Sequence, residues 1–157
     1  LMEAINHMAE VYQLPVVYST HPRSMKFIQQ RHFQFHPLVR NLTPFGFFDY
    51  NHLQMNSLVV LSDSGTLSEE SAMLGFCGVL VRTSTERPEV LDKGTVVIGG
   101  ITQKSVEQAA ALAIAMQQAG EPRAMPADYE DTNVSVKVVK LIQSYTPIVN
   151  QTVWLKR

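Results

Sequence analysis

Short, unbroken apolar runs recur along the chain and alternate with stretches whose apolar residues fall three or four apart. "LPVVYS" (14–19), "LVRNL" (38–42), "LVVLS" (58–62), "GVLVR" (78–82) and "TVVIG" (95–99) read as strands. Between them, "PRSMKFIQQR" (22–31) reads as a helix with Pro22 at its first position. "FDYNHLQMNS" (48–57), "LSEESAML" (67–74, ended by Gly75) and "SVEQAAALAIAMQQA" (105–119, ended by Gly120) are also predicted helices, and "ERPEVLDK" (86–93) one or two helical turns. The opening "LMEAINHMAE" reads as the middle of an amphipathic helix, and the chain does not begin with Met, so it is expected to be a piece of something longer. Strands that are continuously apolar suit a parallel sheet covered on both faces. Strands alternating with helices predict a doubly wound α/β domain.

After "GEPRAMPADYED" (120–131), a polar connector, "NVSVKVVKLIQSY" has apolar residues at 134, 138, 141, 142 and 145, the helical spacing. Pro147 is expected to bend or break that helix. The tail beyond it carries Ile148, Val149, Val153, Trp154 and Leu155, apolar surface left over once the sheet is complete. Such a tail is expected to dock on another domain or another subunit.

Composition narrows the class. At 157 residues and 45% hydrophobic, the chain is long enough for one domain with a core. Thirteen basic against 14 acidic side chains, a net charge of -1, is not the basic footprint of a nucleic-acid binder. The longest apolar stretch, "AAALAIAM" (109–116), is too short to span a membrane, and the first residues do not form a signal peptide. The single cysteine, Cys77, excludes an internal disulfide and reads as a buried thiol in a reducing compartment, hence the cytoplasm. With no Cys or His cluster, no metal site is expected.

In open α/β sheets, ligands bind beyond the carboxyl ends of the strands. Three segments fall there: 19–23, 63–66 and 82–89. In "SDSGTLSEES" (62–71), Ser64 and Gly65 can bring backbone N–H groups and a hydroxyl close to an anion at the start of a helix. "TLSE" (66–69) matches a capping box, with Thr66 as cap and Glu69 reaching back to it. Glu70 is not needed for the cap and could accept hydrogen bonds from vicinal hydroxyls. Arg87, just before Pro88, could pair with phosphate, or with Glu86 or Glu89 on the surface. His21 is either a ligand or proton carrier, or the cap of the next helix. The aromatic cluster "PFGFFDY" (44–50) either stacks on a base or packs in the core.

Taken in order, "SDSGTLSEES", "TSTERPE" and "KGTVVIGG" resemble the C-terminal half of the non-hydrolysing UDP-N-acetylglucosamine 2-epimerase family, over about Val11 to Gly100. The chain departs from that family's second glycine, where it has Thr66, and reads "LSEES" where many members have a Gln and "EEA". "STHPR", "PFGFFDY" and the tail make it most similar to the UDP-N-acetyl-L-fucosamine synthase branch, whose members invert C2 of a UDP-2-acetamido-2,6-dideoxy sugar for capsule or O-antigen precursors.

The resemblance implies a Rossmann-like domain over 1–131, the C-terminal half of a glycosyltransferase-B-type two-domain fold, followed by a kinked C-terminal helix over 132–157. It implies that Ser64, Gly65 and Thr66 hold the diphosphate, Glu70 the ribose hydroxyls, and Arg87 the nucleotide through a closing loop. Phe45 and Tyr50 fall near the uracil end, and His21 near the domain interface, where it has a regulatory role in some relatives. The implied partners are a UDP-sugar, the N-terminal domain of the same enzyme and, at most, a second copy in a homodimer; no cofactor, nucleic acid or membrane is implied. The family's acid and base carboxylates belong to the other half, so no catalytic residue is expected in this chain. Two rival readings remain: half of a sugar transferase sharing the two-domain fold, and a non-catalytic UDP-binding module.

Overall fold

The computed structural model describes residues 2–156; Leu1 and Arg157, at the ends of the predicted first helix and tail, lie outside the described residues. Two compact units divide at Pro126 and Ala127.

The first unit runs α1 (Met2–Tyr12), β1 (Val16–Ser19), α2 (Pro22–Gln30), β2 (Val39–Leu42), α3 (Phe47–Met55), β3 (Val60–Ser62), α4 (Leu67–Leu74), β4 (Gly78–Leu80), α5 (Glu89–Asp92), β5 (Val96–Ile98) and α6 (Gln103–Gln118). Every strand pairing is parallel, as the unbroken apolar runs predict. The strands lie in two sheets, β1–β2 and β3–β4–β5. Val16 sits beside Val39 and Ser19 beside Leu42; Val60 pairs with Gly78, which pairs with Val96.

β4 is central to the larger sheet and buried throughout. Successive residues of a strand face opposite ways, and β4 serves both layers. Val79 packs with Met8 of α1 and Ala109, Ala110 and Ala113 of α6. On the other face a Cβ on Gly78 would lie 3.4 Å from Leu67 of α4. The small side chains of α6 let that helix approach closely. Gly99 tightens the fit further: a Cβ there would lie 2.6 Å from Val79 Cγ1. The other face is fixed by Ser71 of α4, whose buried hydroxyl contacts the carbonyls of Phe76 (2.8 Å) and Thr95 (2.9 Å). Cys77 is buried, as its apolar flanks predict.

Helix ends follow local chemistry. Pro22 opens α2 as expected. Gly75 closes α4 in the left-handed region, at φ 73°. Gly120, at φ 68°, follows α6, where Glu121 N–H donates to the Met116 carbonyl and Gly120 N–H to that of Gln117. α6 starts at Gln103, earlier than its apolar pattern, because Thr102 and Ser105 form a reciprocal cap.

The second unit holds a 3-10 turn (Ala127–Tyr129) and α7 (Val134–Thr152). α7 continues through Pro147, so of the expected bend or break the break does not occur. Proline removes one main-chain donor, the one that would reach the Gln143 carbonyl; beside it the hydroxyl of Thr146 donates back to the Ile142 carbonyl at 2.6 Å. No side chain of α7 is buried. Among the described residues, no helix is long and apolar enough to cross a membrane.

Candidate functional site

β3 ends at Ser62, and the turn Asp63–Thr66 carries the chain into α4. The turn is built from its own hydroxyls. Ser62 Oγ accepts from Ser64 N–H at 3.1 Å, Ser64 Oγ accepts from Thr66 N–H at 3.3 Å, and the Ser64 and Thr66 hydroxyls lie 2.9 Å apart. Ser64, Gly65 and Thr66 are thus brought to the N-terminus of α4 in one hydrogen-bonded loop, where the helix dipole favours negative charge.

The expected capping box is not formed. Thr66 lies in the helical region and makes no side-chain cap. Glu69 instead accepts from Arg87 Nε at 2.5 Å. A charge-assisted bond to a guanidinium outcompetes one to a neutral backbone N–H. The same contact gives Arg87 a partner on α4, while Glu86 accepts from Arg82 at 3.1 and 3.2 Å. Arg87 Nη1 lies over Gly65, 2.6 Å from where a Cβ would stand. Thr66, at the position of the family's second glycine, is exposed. Gly65 is thus a glycine because the guanidinium occupies its side-chain space, and the loop after β4 is joined to the turn after β3.

Glu70, one residue on, points elsewhere. Its Oε2 accepts from Gln54 Nε2 of α3 at 2.7 Å. Tyr50, one turn earlier on α3, has its phenol held above the ordinary 10.0 by burial, by the negative charge of Glu70 and, more weakly, of Asp63, against an opposing hydrogen bond with Ser62. Tyr50, Ser62, Asp63 and Glu70 therefore form one neighbourhood at the carboxyl end of β3.

A cleft of about 880 Å³ opens beside it, between the unpaired edges of β1 and β3. Phe45, Tyr50, Gln54, Asp63 and Ser64 line it, together with His21 from the end of β1. In a doubly wound sheet of strand order 2-1-3-4-5, the place between β1 and β3 is the switch point where ligands bind. His21 also caps α2, its Nδ1 accepting from Arg23 N–H at 3.2 Å. The aromatic cluster divides: Phe45 and Tyr50 line the cleft, whereas Phe47 and Phe48 are 75% and 83% exposed and pack edge to face on each other, so core packing does not account for them.

The structure brings Ser64, Gly65, Thr66 and Arg87 together, sets Glu70 beside them on α4, and places Phe45, Tyr50 and His21 around the adjoining cleft. Two features escape the sequence pattern. Gln54 is 3% exposed while its neighbours Leu53 and Met55 are exposed, the reverse of what hydrophobicity predicts. The partnership of Glu69 with Arg87 spans 18 positions, beyond any local spacing rule.

A parallel α/β unit with a hydroxyl- and glycine-bearing turn, an acid and an arginine at the carboxyl end of its strands is Rossmann-like in build. The sequence profile of the UDP-N-acetylglucosamine 2-epimerase family matches residues 1–143, and the chain belongs to that family. The UDP-N-acetylglucosamine 2-epimerase of Methanococcus maripaludis is 27% identical over 110 residues, 68% of this chain and 30% of its own length. The solved structure of UDP-N-acetylglucosamine 2-epimerase from Rickettsia bellii superposes with a TM-score of 0.78 at 31% identity, covering 98% of this chain and 43% of that one. The Neisseria meningitidis enzyme, solved bound to UDP-GlcNAc, superposes at 0.68 with 27% identity, over 90% of this chain and 40% of that one. The chain therefore spans less than half the length of these relatives. The fold they share supports the expected glycosyltransferase-B-like architecture.

Proposed function

We propose that the chain is the nucleotide-binding half of a UDP-N-acetylaminosugar 2-epimerase. The observation that carries the reading is the juxtaposition at the start of α4: a hydrogen-bonded Ser64–Gly65–Thr66 turn under the Arg87 guanidinium, with Glu70 in the next turn of the chain and its carboxylate held by Gln54. The turn and Arg87 hold the diphosphate. Glu70 accepts from the ribose hydroxyls, which need acceptors as the phosphates need donors. Phe45 and Tyr50 contact the uracil end, and His21 stands at the mouth of the cleft, where a second UDP-sugar or a neighbouring domain would meet it.

In the proposed reaction a base removes the C2 proton as the C1–O bond breaks, leaving a C1–C2 double bond and UDP. Reprotonation on the opposite face and re-addition of UDP to C1 complete the inversion. The part of this chain is to hold the leaving group: fixed donors on the diphosphate stabilise the negative charge that grows on it. The acid and base carboxylates are assigned to another domain of the same protein. The substrate we favour is a UDP-2-acetamido-2,6-dideoxy sugar, as in the UDP-N-acetyl-L-fucosamine synthase branch, made in the cytoplasm for capsule or O-antigen.

Calorimetric titration of the 157-residue chain with UDP tests the site. Saturable one-to-one binding is expected, weakened about tenfold or more by Glu70→Ala and by Arg87→Ala, the scale of a lost charge-assisted hydrogen bond. Unchanged affinity in both variants contradicts the assignment. The reaction is tested with the parent protein in heavy water without an acceptor: an epimerase places deuterium at C2, whereas a sugar transferase does not.

A further inference from the structure

Gln54 is a buried amide on α3. It is 3% exposed, between two exposed apolar residues of α3. Its Nε2 donates to Glu70 Oε2 at 2.7 Å. An ionised carboxylate only accepts, so this contact fixes which end of the amide is which. The other end, Oε1, is then an acceptor, and it is buried with no hydrogen-bond partner among the described residues. A buried acceptor without a donor destabilises a fold. The amide is therefore costly where it sits, and the one bond its side chain makes among the described residues is to Glu70.

The backbone around it is firm. Ser57 Oγ donates to the Gln54 carbonyl at 2.8 Å, and Ser57 N–H approaches the same oxygen at 3.3 Å, closing the end of α3 just ahead of β3. The side chain is thus held from its root, with its head against Glu70. Glutamate has several rotatable bonds, and a carboxylate meant to meet two hydroxyls in one geometry gains from being held before the ligand arrives. Gln54 occupies Oε2, which leaves Oε1 of Glu70 as the acceptor for a ligand. Gln54 also lines the cleft, together with Tyr50.

We infer that Gln54 is a positioning residue, which orients the Glu70 carboxylate for the ribose hydroxyls and so sets the preference for a ribonucleotide. The inference rests on the reading of Glu70 given above. It acts through Glu70 and predicts an effect confined to ligands that carry those hydroxyls.

The test is calorimetric titration of the full chain with UDP and with 2′,3′-dideoxy-UDP, for wild type, Glu70→Ala, Gln54→Met and Gln54→Leu, with urea unfolding of each. Wild type is expected to favour UDP. Gln54→Met is expected to lose about tenfold in affinity for UDP, the scale of a hydrogen bond to a charged group. Its affinity for dideoxy-UDP stays within about twofold, and its urea midpoint does not fall, since the unpaired acceptor is gone. Glu70→Ala shows the same loss of discrimination. Gln54→Leu serves as a second apolar replacement if the methionine variant folds poorly. Equal losses for both nucleotides, or no loss for either, overturn the inference while leaving the proposed site standing. A wild-type chain that binds neither nucleotide overturns the site and the inference together.

Discussion

Gly65 and Gly99 are each met by a neighbour 2.6 Å from where a Cβ would be, yet the two positions answer to different physics. Over Gly65 the neighbour is the far end of Arg87, a flexible side chain that can swing away; over Gly99 it is Val79 Cγ1, fixed in the core, with the Leu80 carbonyl at 3.3 Å behind it. Gly65→Ala is therefore expected to leave the urea midpoint near that of wild type while displacing Arg87 and weakening UDP binding about tenfold. Gly99→Ala is expected to destabilise the fold by about 1–3 kcal/mol, the usual cost of forcing a methyl into a packed core. Denaturant unfolding and calorimetry on the same two variants check this; a reversal, with Gly65→Ala unfolding and Gly99→Ala losing only affinity, contradicts the geometry. The placement of Ser64, Gly65 and Glu70 at a strand–turn–helix junction was legible because strand, turn and helix start announce themselves locally. Gln54 and the Glu69–Arg87 pair were not, since each depends on a tertiary neighbour, 16 and 18 positions away respectively. Thr66 and Glu69 fit the capping-box spacing, and the box still fails to form because Arg87 offers the better partner.

At the level of elements, apolar runs found the five strands and their parallel sense. The short runs could not say that the sheet parts between β1 and β3, because pairing of strand edges is a tertiary choice that leaves no periodicity in either segment. Boundaries slipped where a cap lay outside the pattern, as Thr102 does for α6. α7 carries a sequence stripe that finds no cover within its own unit. Val138, Leu141, Ile142 and Tyr145, spaced for one helix face, are all exposed. We propose that this face packs on another domain of the parent protein or on a second subunit. The isolated chain is then expected to self-associate, and Leu141→Asp to return it to a monomer in sedimentation velocity. A wild-type chain that remains monomeric over the whole concentration range contradicts the proposal.

For the molecule as a whole, burial sets how stability depends on pH in the alkaline range. The Cys77 thiol is pushed above its ordinary 9.0 by burial, with Arg123 opposing. The phenols of Tyr12, Tyr18 and Tyr50 are pushed above 10.0, again by burial first and then by nearby carboxylates. In each case the unfolded chain loses its proton before the folded one does, so rising pH favours unfolding. The stability these groups contribute is present in full below about pH 9 and falls above it, first through the thiol and then through the phenols. Urea midpoints across the alkaline range should decline in that order, and Cys77→Ala should flatten the first part of the decline. A midpoint that climbs above pH 9 contradicts the burial of these groups. The central claim is that the turn entering α4 grips a diphosphate while Glu70 holds the pentose. A crystal of the chain soaked in UDP tests it most directly: the account predicts the diphosphate against Ser64–Thr66 and Arg87 with the ribose hydroxyls on Glu70, and a nucleotide bound elsewhere, or a pocket still empty at saturating UDP, would contradict it.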